Sequence, residues 1–372
     1  MSARKNLLIA ALTASVVAGH VVYPIGLGVL RKLRGAQHTR PVPTEWPAIT
    51  VVVPVYLERG VIAQKIDNIR SNGYPGEVTV LVVADGDAQT ADAARAAGAS
   101  VILIEERGGK AQALNVGVGA SETDWVVLTD ANAEITPGSI ERLVSWLSDR
   151  TVGAVAGEKL EGDGGELAYW RFASWVKRNE ADLGSTIALD GGLCAVRKSV
   201  WRDIPRDISC DDFWISMDVT QQGYRVAYEP EAAVRESSIG GIALSWERRT
   251  RVLGSALWVI WRKRDMLNPL NEGSAATKIW GHKLWRSTIG PLSHVALLGM
   301  AAAAARRSHI AQLFLVGNAV AAGAVYAQSK DVQLPKLLGI AAQAAYLQAV
   351  ALGGMVRFMR GDRAVKWKKP AR

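Results

Sequence analysis

A chain of 372 residues is long enough for one large domain or for two with linkers, and 49% hydrophobic against 21% charged residues makes it neither disordered nor wholly membrane-buried. The net charge of +9 first suggests nucleic acid, but the basic excess sits beside apolar spans, where Lys and Arg mark the cytoplasmic face and anionic headgroups, so no nucleic-acid partner is expected. Cys194 and Cys210 are the only cysteines and lack CxxC spacing, which suits a reducing compartment.

The first element is Leu7–Leu30 (LLIAALTASVVAGHVVYPIGLGVL), uncharged over a bilayer-spanning length and followed by Arg31-Lys32-Leu33-Arg34. Met1–Lys5 resembles the charged start of a signal peptide, but the apolar core is too long for one, and a retained anchor is expected. Residues 48–235 then alternate. ITVVVPVY (49–56), VTVLVVAD (78–85), SVILIEE (100–106) and WVVLTD (125–130) are strand candidates rich in Val and Ile, separated by helical segments at 60–72, 88–97, 110–120 and 137–149. Such alternation predicts a parallel sheet covered on both faces, with ligands beyond the carboxyl ends of the strands. Three strands end at or near a carboxylate: Glu58, Asp85 and Asp130.

Asp130 and Asn132 stand two residues apart at a strand end, where alternation aims both side chains the same way and offers two hard oxygens to a divalent cation. Asp and Asn also start turns unaided. A dinucleotide GxGxxG is missing after the first strand, Gly108-Gly109-Lys110 lacks the first Gly and the Ser/Thr of a P-loop, and there is no GxSxG elbow. All five histidines (20, 38, 282, 294 and 309) fall outside the α/β region, so a base there must be a carboxylate, and a metal must be Mg²⁺ or Mn²⁺ on oxygen rather than zinc. Residues 209–232 read as a helix opening on Asp211-Asp212, then Gly223 and a strand ending in Glu229-Pro230. Acids at a helix start are ordinary dipole partners, but adjacent acids in a desolvated site raise one pKa and suit proton abstraction from an alcohol. Just upstream, Asp190-Gly191-Gly192-Leu193-Cys194 offers backbone with little side-chain bulk, as a close-lying substrate requires.

Residues 244–286 carry Trp246, Trp258, Trp261, Trp280 and Trp285 among Arg and Lys, the composition of helices in the headgroup layer, although aromatic faces could also line a path for lipid or glycan. Thr288–Ala305, Ile310–Ala327 and Leu334–Met355 are Ala- and Gly-rich span candidates, and RFMRGDRAVKWKKPAR closes the sequence as a basic tail. A domain and a tail both on the cytoplasmic side need an even number of spans between them, whereas three are counted; a re-entrant segment or an outside tail would reconcile the two.

The run VVVPVYLE, VADGD, GGKAQALN, TDAN, YWRF, DGGLCAVRKS, SCDDF, GYRVAYEPEA and ERRTR resembles the family 2 glycosyltransferases with the GT-A fold, in their membrane-bound branch with the hyaluronan, chitin and cellulose synthases, over roughly residues 48–290. The resemblance implies that Asp85 binds the nucleotide base, with Glu58 and the Pro54–Tyr56 backbone near the ribose. It implies further that Lys110 touches the nucleotide or its phosphates, that Asp130 holds the metal on the diphosphate with Asn132 in place of the second Asp of DxD, and that Asp212 is the general base, with Asp211 as its alternate. Gly191 and Gly192, with Arg248 and Arg251, would lie at the acceptor and diphosphate. Where the synthases carry QxxRW, this chain has Arg248-Arg249-Thr250-Arg251-Val252, keeping the basic positions but replacing Trp by Val. An interfacial helix gripping headgroups is the rival use of those arginines.

The expectation is an α/β GT-A domain at 48–240, between an N-terminal anchor (1–34), Trp-rich interfacial helices (241–286), transmembrane helices (287–357) and a basic tail (358–372). It would be a multi-pass plasma-membrane enzyme with a cytoplasmic catalytic domain. The reaction would be inverting transfer from a nucleotide sugar, a UDP-sugar first, to a glycan or lipid-linked acceptor in polysaccharide synthesis. A single displacement needs one base opposite the leaving group and no second carboxylate nucleophile. A polyprenyl-phosphate sugar transferase and a non-catalytic membrane scaffold are the alternatives, and the oligomeric state is left open.

Overall fold

A computed structural model describes residues 3–160, 164–236, 242–330 and 332–363; residues 364–372 of the basic tail lie outside the described residues. The order is α1 (Ala3–Val17), α2 (Tyr23–Arg34), β1 (Ile49–Val55), α3 (Ile62–Arg70), β2 (Val78–Asp85), α4 (Ala88–Ala96), β3 (Ser100–Ile104), α5 (Lys110–Ala120), β4 (Trp125–Thr129), β5 (Glu134–Ile135) and α6 (Ser139–Ser145). There follow β6 (Val152–Leu160), α7 (Gly164–Asp182), β7 (Leu193–Arg197), α8 (Asp211–Gln221), β8 (Arg225–Arg235), α9 (Ile242–Arg262), α10 (Pro269–Glu272), α11 (Ser274–Lys278), α12 (Gly290–Ala304), α13 (His309–Gln328) and α14 (Lys336–Met359). Two units result among the described residues: one within 31–160 and 170–236 with Arg363, the other within 3–30, 164–169 and 242–362.

The first unit is built on an eight-stranded sheet in the order β3-β2-β1-β4-β7-β6-β8-β5. The four strands read from the sequence pair in parallel, and β1 is buried along its whole length, which is why its Val/Ile run carries no alternation. The other half of the sheet supplies the antiparallel pairs of a mainly parallel sheet. β7 runs antiparallel to both β4 and β6, and β5 is antiparallel to β8. Gly153 and Gly157 interrupt the apolar run of β6 and hide it from a reading by pattern. Both are packing requirements, since a Cβ at Gly157 would stand 2.8 Å from the Ala232 carbonyl oxygen and 2.9 Å from that of Leu193. The β6–β8 register shifts there, between Ala156 and Glu158, so β8 passes Pro230 without needing its missing N–H and continues to Arg235, beyond the expected end at Glu229-Pro230.

In the second unit, Arg4–Arg34, Ser274–Ala304, His309–Gln328 and Lys336–Met359 are, among the described residues, helices long and apolar enough to cross a membrane. The second begins fourteen residues before the span read at Thr288, because Lys278, His282, Lys283 and Arg286 interrupt hydropathy without interrupting the helix. Hydrogen bonds stitch the bundle: Ser293 Oγ to Ser15 Oγ at 2.9 Å, and His294 Nε2 to Asn318 Oδ1 at 2.8 Å. Gly254 of α9 faces the Gly354 carbonyl oxygen of α14, so the two backbones approach closely.

Candidate active site

The site is built where β1 and β4 end. Past β4 the Ala133 amide donates to the Asp130 carbonyl at 3.2 Å, closing a turn in which Asp130 and Asn132 are half-buried while Ala131 and Ala133 are buried. Asp130 lines the hollow at these strand ends, and Asn132 is not among its lining residues.

Lys110 meets this turn from the start of α5. Gly109 precedes it with φ of 91°, a conformation open chiefly to glycine. Both Asp85 oxygens hold that turn, Oδ1 accepting from Gly108 N at 2.7 Å and Oδ2 from Gly109 N at 2.8 Å. So placed, Lys110 Nζ lies 2.8 Å from Asp130 Oδ1, 3.2 Å from Asp211 Oδ2 and 3.5 Å from the Gly191 carbonyl oxygen. Burial disfavours the ammonium, but Asp130 and Asp211, with Asp212, outweigh it and hold its pKa well above the ordinary lysine value.

Asp211 and Asp212 open α8 and differ in their partners. Asp211 is buried and paired with Lys110; desolvation raises its pKa despite that cation, and the charges of Asp212 and Asp130 add to the rise. Asp212 is half-buried, its Oδ1 accepting from Phe213 N at 2.7 Å and from Cys210 Sγ at 3.3 Å. Its Oδ2 makes no hydrogen bond among the described residues. Pro54, Lys110, Thr129, Asp130, Gly191, Cys194, Asp211 and Asp212 line one hollow. Burial pushes the Cys194 thiol well above its ordinary range, so it stays protonated there.

Beside the hollow, the loop after β1 carries Tyr56, Leu57 and Glu58. The Arg107 guanidinium lies 3.6 Å over the Tyr56 ring. Leu57 has φ of 55° and donates its N–H to Asp87 Oδ2 at 2.7 Å, while Glu58, itself buried, donates its own N–H to Thr90 Oγ1 at 3.1 Å. A leucine in the left-handed region carries strain that these bonds offset. Gly192 abuts Asp190 and Glu236: a Cβ there would lie 2.8 Å from Glu236 Oε1. Arg248 and Arg251 are carried by α9 of the second unit.

The donor set fits a divalent cation that shares its coordination with a substrate. Asp130 and Asn132 offer a carboxylate and an amide two residues apart in one turn, and among the described residues no group of three or more His, Cys, Asp or Glu forms a closed cage. One or two protein oxygens completed by phosphate and water is how Mg²⁺ is held in phosphate-transferring sites.

Several residues here went unread in the sequence. Arg107 and Asp87 gave no local signal. Lys65 did: it interrupts the stripe Ile62, Ile66, Ile69 of α3, and is buried with it. Cys210, before two acids, would have been found only by asking what could donate to them.

Residues 50–204 match the model for Glycosyl transferase family 2. An N-acetylglucosaminyltransferase of Rhizobium meliloti (strain 1021) is 26% identical over 224 residues, 53% of this chain and 51% of that protein. A poly-beta-1,6-N-acetyl-D-glucosamine synthase of Staphylococcus aureus (strain MSSA476) is 24% identical over 226 residues, 56% of this chain and 54% of that one. The chain thus spans about half the length of the curated relatives it matches. A mannosyltransferase from Pyrobaculum calidifontis, solved in complex with GDP-Man and Mn²⁺, superposes with a TM-score of 0.75 at 25% identity, covering 96% of this chain and 99% of that one. Residues 50–204 thus resemble a glycosyl transferase family 2 domain, on a GT-A fold.

Proposed function

We propose that the chain is an inverting membrane glycosyltransferase, which moves a sugar from a nucleoside-diphosphate sugar to the hydroxyl of a glycan or lipid-linked acceptor with a β-linkage. The observation that carries this reading is the Lys110 ammonium held between Asp130 and Asp211 in a hollow that Asp212 also lines. The diphosphate of the donor lies against Lys110 at the Asp130 turn, and its nucleoside extends toward Asp85 and the Tyr56–Glu58 loop. Asp212 Oδ2 accepts the proton of the acceptor hydroxyl as that oxygen attacks the anomeric carbon from the face opposite the diphosphate. The bond from the anomeric carbon to the diphosphate oxygen breaks, and Lys110 stabilises the charge that collects on the leaving group. Asp130 and Asn132 would hold Mg²⁺ or Mn²⁺, which when bound neutralises the diphosphate.

The names of the sequence relatives support an N-acetylhexosamine donor, a UDP-sugar being the first candidate, whereas the structural neighbour was solved with GDP-Man. The four apolar helices among the described residues support a membrane protein. On this reading the catalytic domain lies on the cytoplasmic side, and the name of the Staphylococcus aureus relative supports polysaccharide synthesis in the envelope or outside it. Purified full-length protein in lipid, given Mn²⁺ and UDP-GlcNAc, UDP-Glc or GDP-Man separately, is expected to release the nucleoside diphosphate from at least one donor and to stop when EDTA is added. Release from none, with a membrane extract supplied as acceptor, overturns the proposal.

A further inference from the structure

We propose that Lys65 is a positioning residue of the donor site, fastening both ends of the Asp130–Asn132 turn from inside the core and, through Thr129, the Gly191–Gly192 loop. The inference rests on reading Asp130 and Asn132 as the grip on cation and diphosphate.

Lys65 lies on the buried face of α3 and is 3% exposed. Its Nζ donates to Thr129 Oγ1 at 2.9 Å, just before the turn, and to the Ala133 carbonyl oxygen just after it. Thr129 Oγ1 donates in turn to the Gly192 carbonyl oxygen at 2.8 Å. One ammonium thus ties the two backbones that approach Lys110, since Lys110 reaches both Asp130 and the Gly191 carbonyl.

The same helix and the turn that ends it continue the attachment with amides. Asn68 exchanges two bonds with the Ile135 backbone, at 2.9 and 2.8 Å. Asn72 accepts from Ile140 N at 2.9 Å and donates to the Thr136 carbonyl oxygen at 2.9 Å. Positions 65 and 68 share one face of α3 and Asn72 follows in the turn after it, so α3 and its C-terminal turn hold residues 129–140. Two of its three clasps are neutral amides. Lysine stands only at the end that faces Asp130, and it does so despite the cost of burying a charge. Burial pulls its pKa down to about 7, against the carboxylates of Asp130, Glu236 and Glu134, which favour the charge. Its bonds to Thr129 and Ala133 need only two N–H donors, which the amine keeps whether or not the third proton is bound.

The test uses full-length protein in lipid and reads Mn²⁺ binding by electron paramagnetic resonance in the presence of UDP and, separately, GDP. Lys65→Met is expected to weaken Mn²⁺–nucleotide binding about 10- to 100-fold, the usual cost of removing an outer support of a metal ligand. Thr129→Val should lose affinity likewise, and Thr129→Ser, which restores the hydroxyl, should regain most of it. That rescue is what a merely structural role would not give, and it remains readable if Lys65→Met fails to fold. In turnover, the loss should fall on the KM for donor more than on kcat. If Asp130→Ala abolishes binding while Lys65→Met and Thr129→Val bind as wild type does, the positioning role is wrong and the donor site stands. If Asp130→Ala also binds as wild type does, the reading of the donor site fails, and this inference with it.

Discussion

Lys110 Nζ stands 2.8 Å from Asp130 Oδ1 and 3.2 Å from Asp211 Oδ2, so one ammonium joins the carboxylate at the end of β4 to the carboxylate at the start of α8. These belong to segments more than eighty residues apart, and their approach leaves Asp212 as the acid at the hollow not bonded to a cation. Lys110→Met keeps the stem and removes the charge. Turnover should fall by about two orders of magnitude, the usual cost of removing a group that stabilises developing charge. Steady-state kcat/KM for the donor checks this, and a change of only a few fold would show that Lys110 is structural.

In the proposed donor site, Asp130 is the charged one of the two residues that would hold the metal on the diphosphate. Asp130→Ala should abolish Mg²⁺- or Mn²⁺-dependent turnover, by roughly two to three orders of magnitude. Full turnover of wild-type protein in excess chelator would remove the metal from the account.

Lys65 makes stability depend on pH. Burial lowers its pKa from the ordinary 10.5 to about 7, against the pull of Asp130, Glu236 and Glu134. Below pH 7 both folded and unfolded chains carry the proton, and the full cost of the buried charge is present. Between 7 and 10.5 the unfolded chain binds the proton and the folded one does not, so stability rises with pH, by at most about 1.4 kcal/mol per unit. Lys65→Met cannot titrate. From pH 7 to 9 the melting temperature of the wild type should therefore climb relative to that of Lys65→Met, whatever the constant offset between them. Parallel curves would place the Lys65 pKa outside that window.

Half of the sheet was legible in the sequence because β1, β2 and β4 are largely buried and, with the half-buried edge strand β3, are runs of Val, Ile and Leu. The rest was not, because β6 uses Gly153 where the Val219 and Tyr224 side chains, and Gly157 where the Ala232 and Leu193 carbonyls, leave no room for a side chain, a demand that appears only once the strands are paired. In the same way, sequence brought Asp211 and Asp212 forward together and could not separate them. Their difference is made by Lys110, whose reach depends on the turn that Asp85 holds from another strand. Lys65 carried a signal, a lysine within an apolar stripe, whose meaning required the turn it supports.

Val252 is 36% exposed on α9, at the position where processive synthases place a Trp. Stacking on the acceptor holds a chain between additions, so products of one or a few sugars per encounter are expected. Sizing radiolabelled product under excess donor checks this: short, lipid-extractable material supports it, and a high-molecular-weight polymer refutes it.

The central claim, that Asp212 takes the acceptor proton at a donor site formed by Lys110 and Asp130, is tested most directly by Asp212→Asn with sugar transfer and nucleotide binding measured side by side. Asparagine keeps shape and hydrogen bonding but accepts no proton at neutral pH. The account predicts that transfer collapses while Mn²⁺-dependent nucleotide binding stays at the wild-type level. Transfer that persists, or binding that falls in step with it, would contradict the account and leave Asp212 as a structural acid at the start of α8.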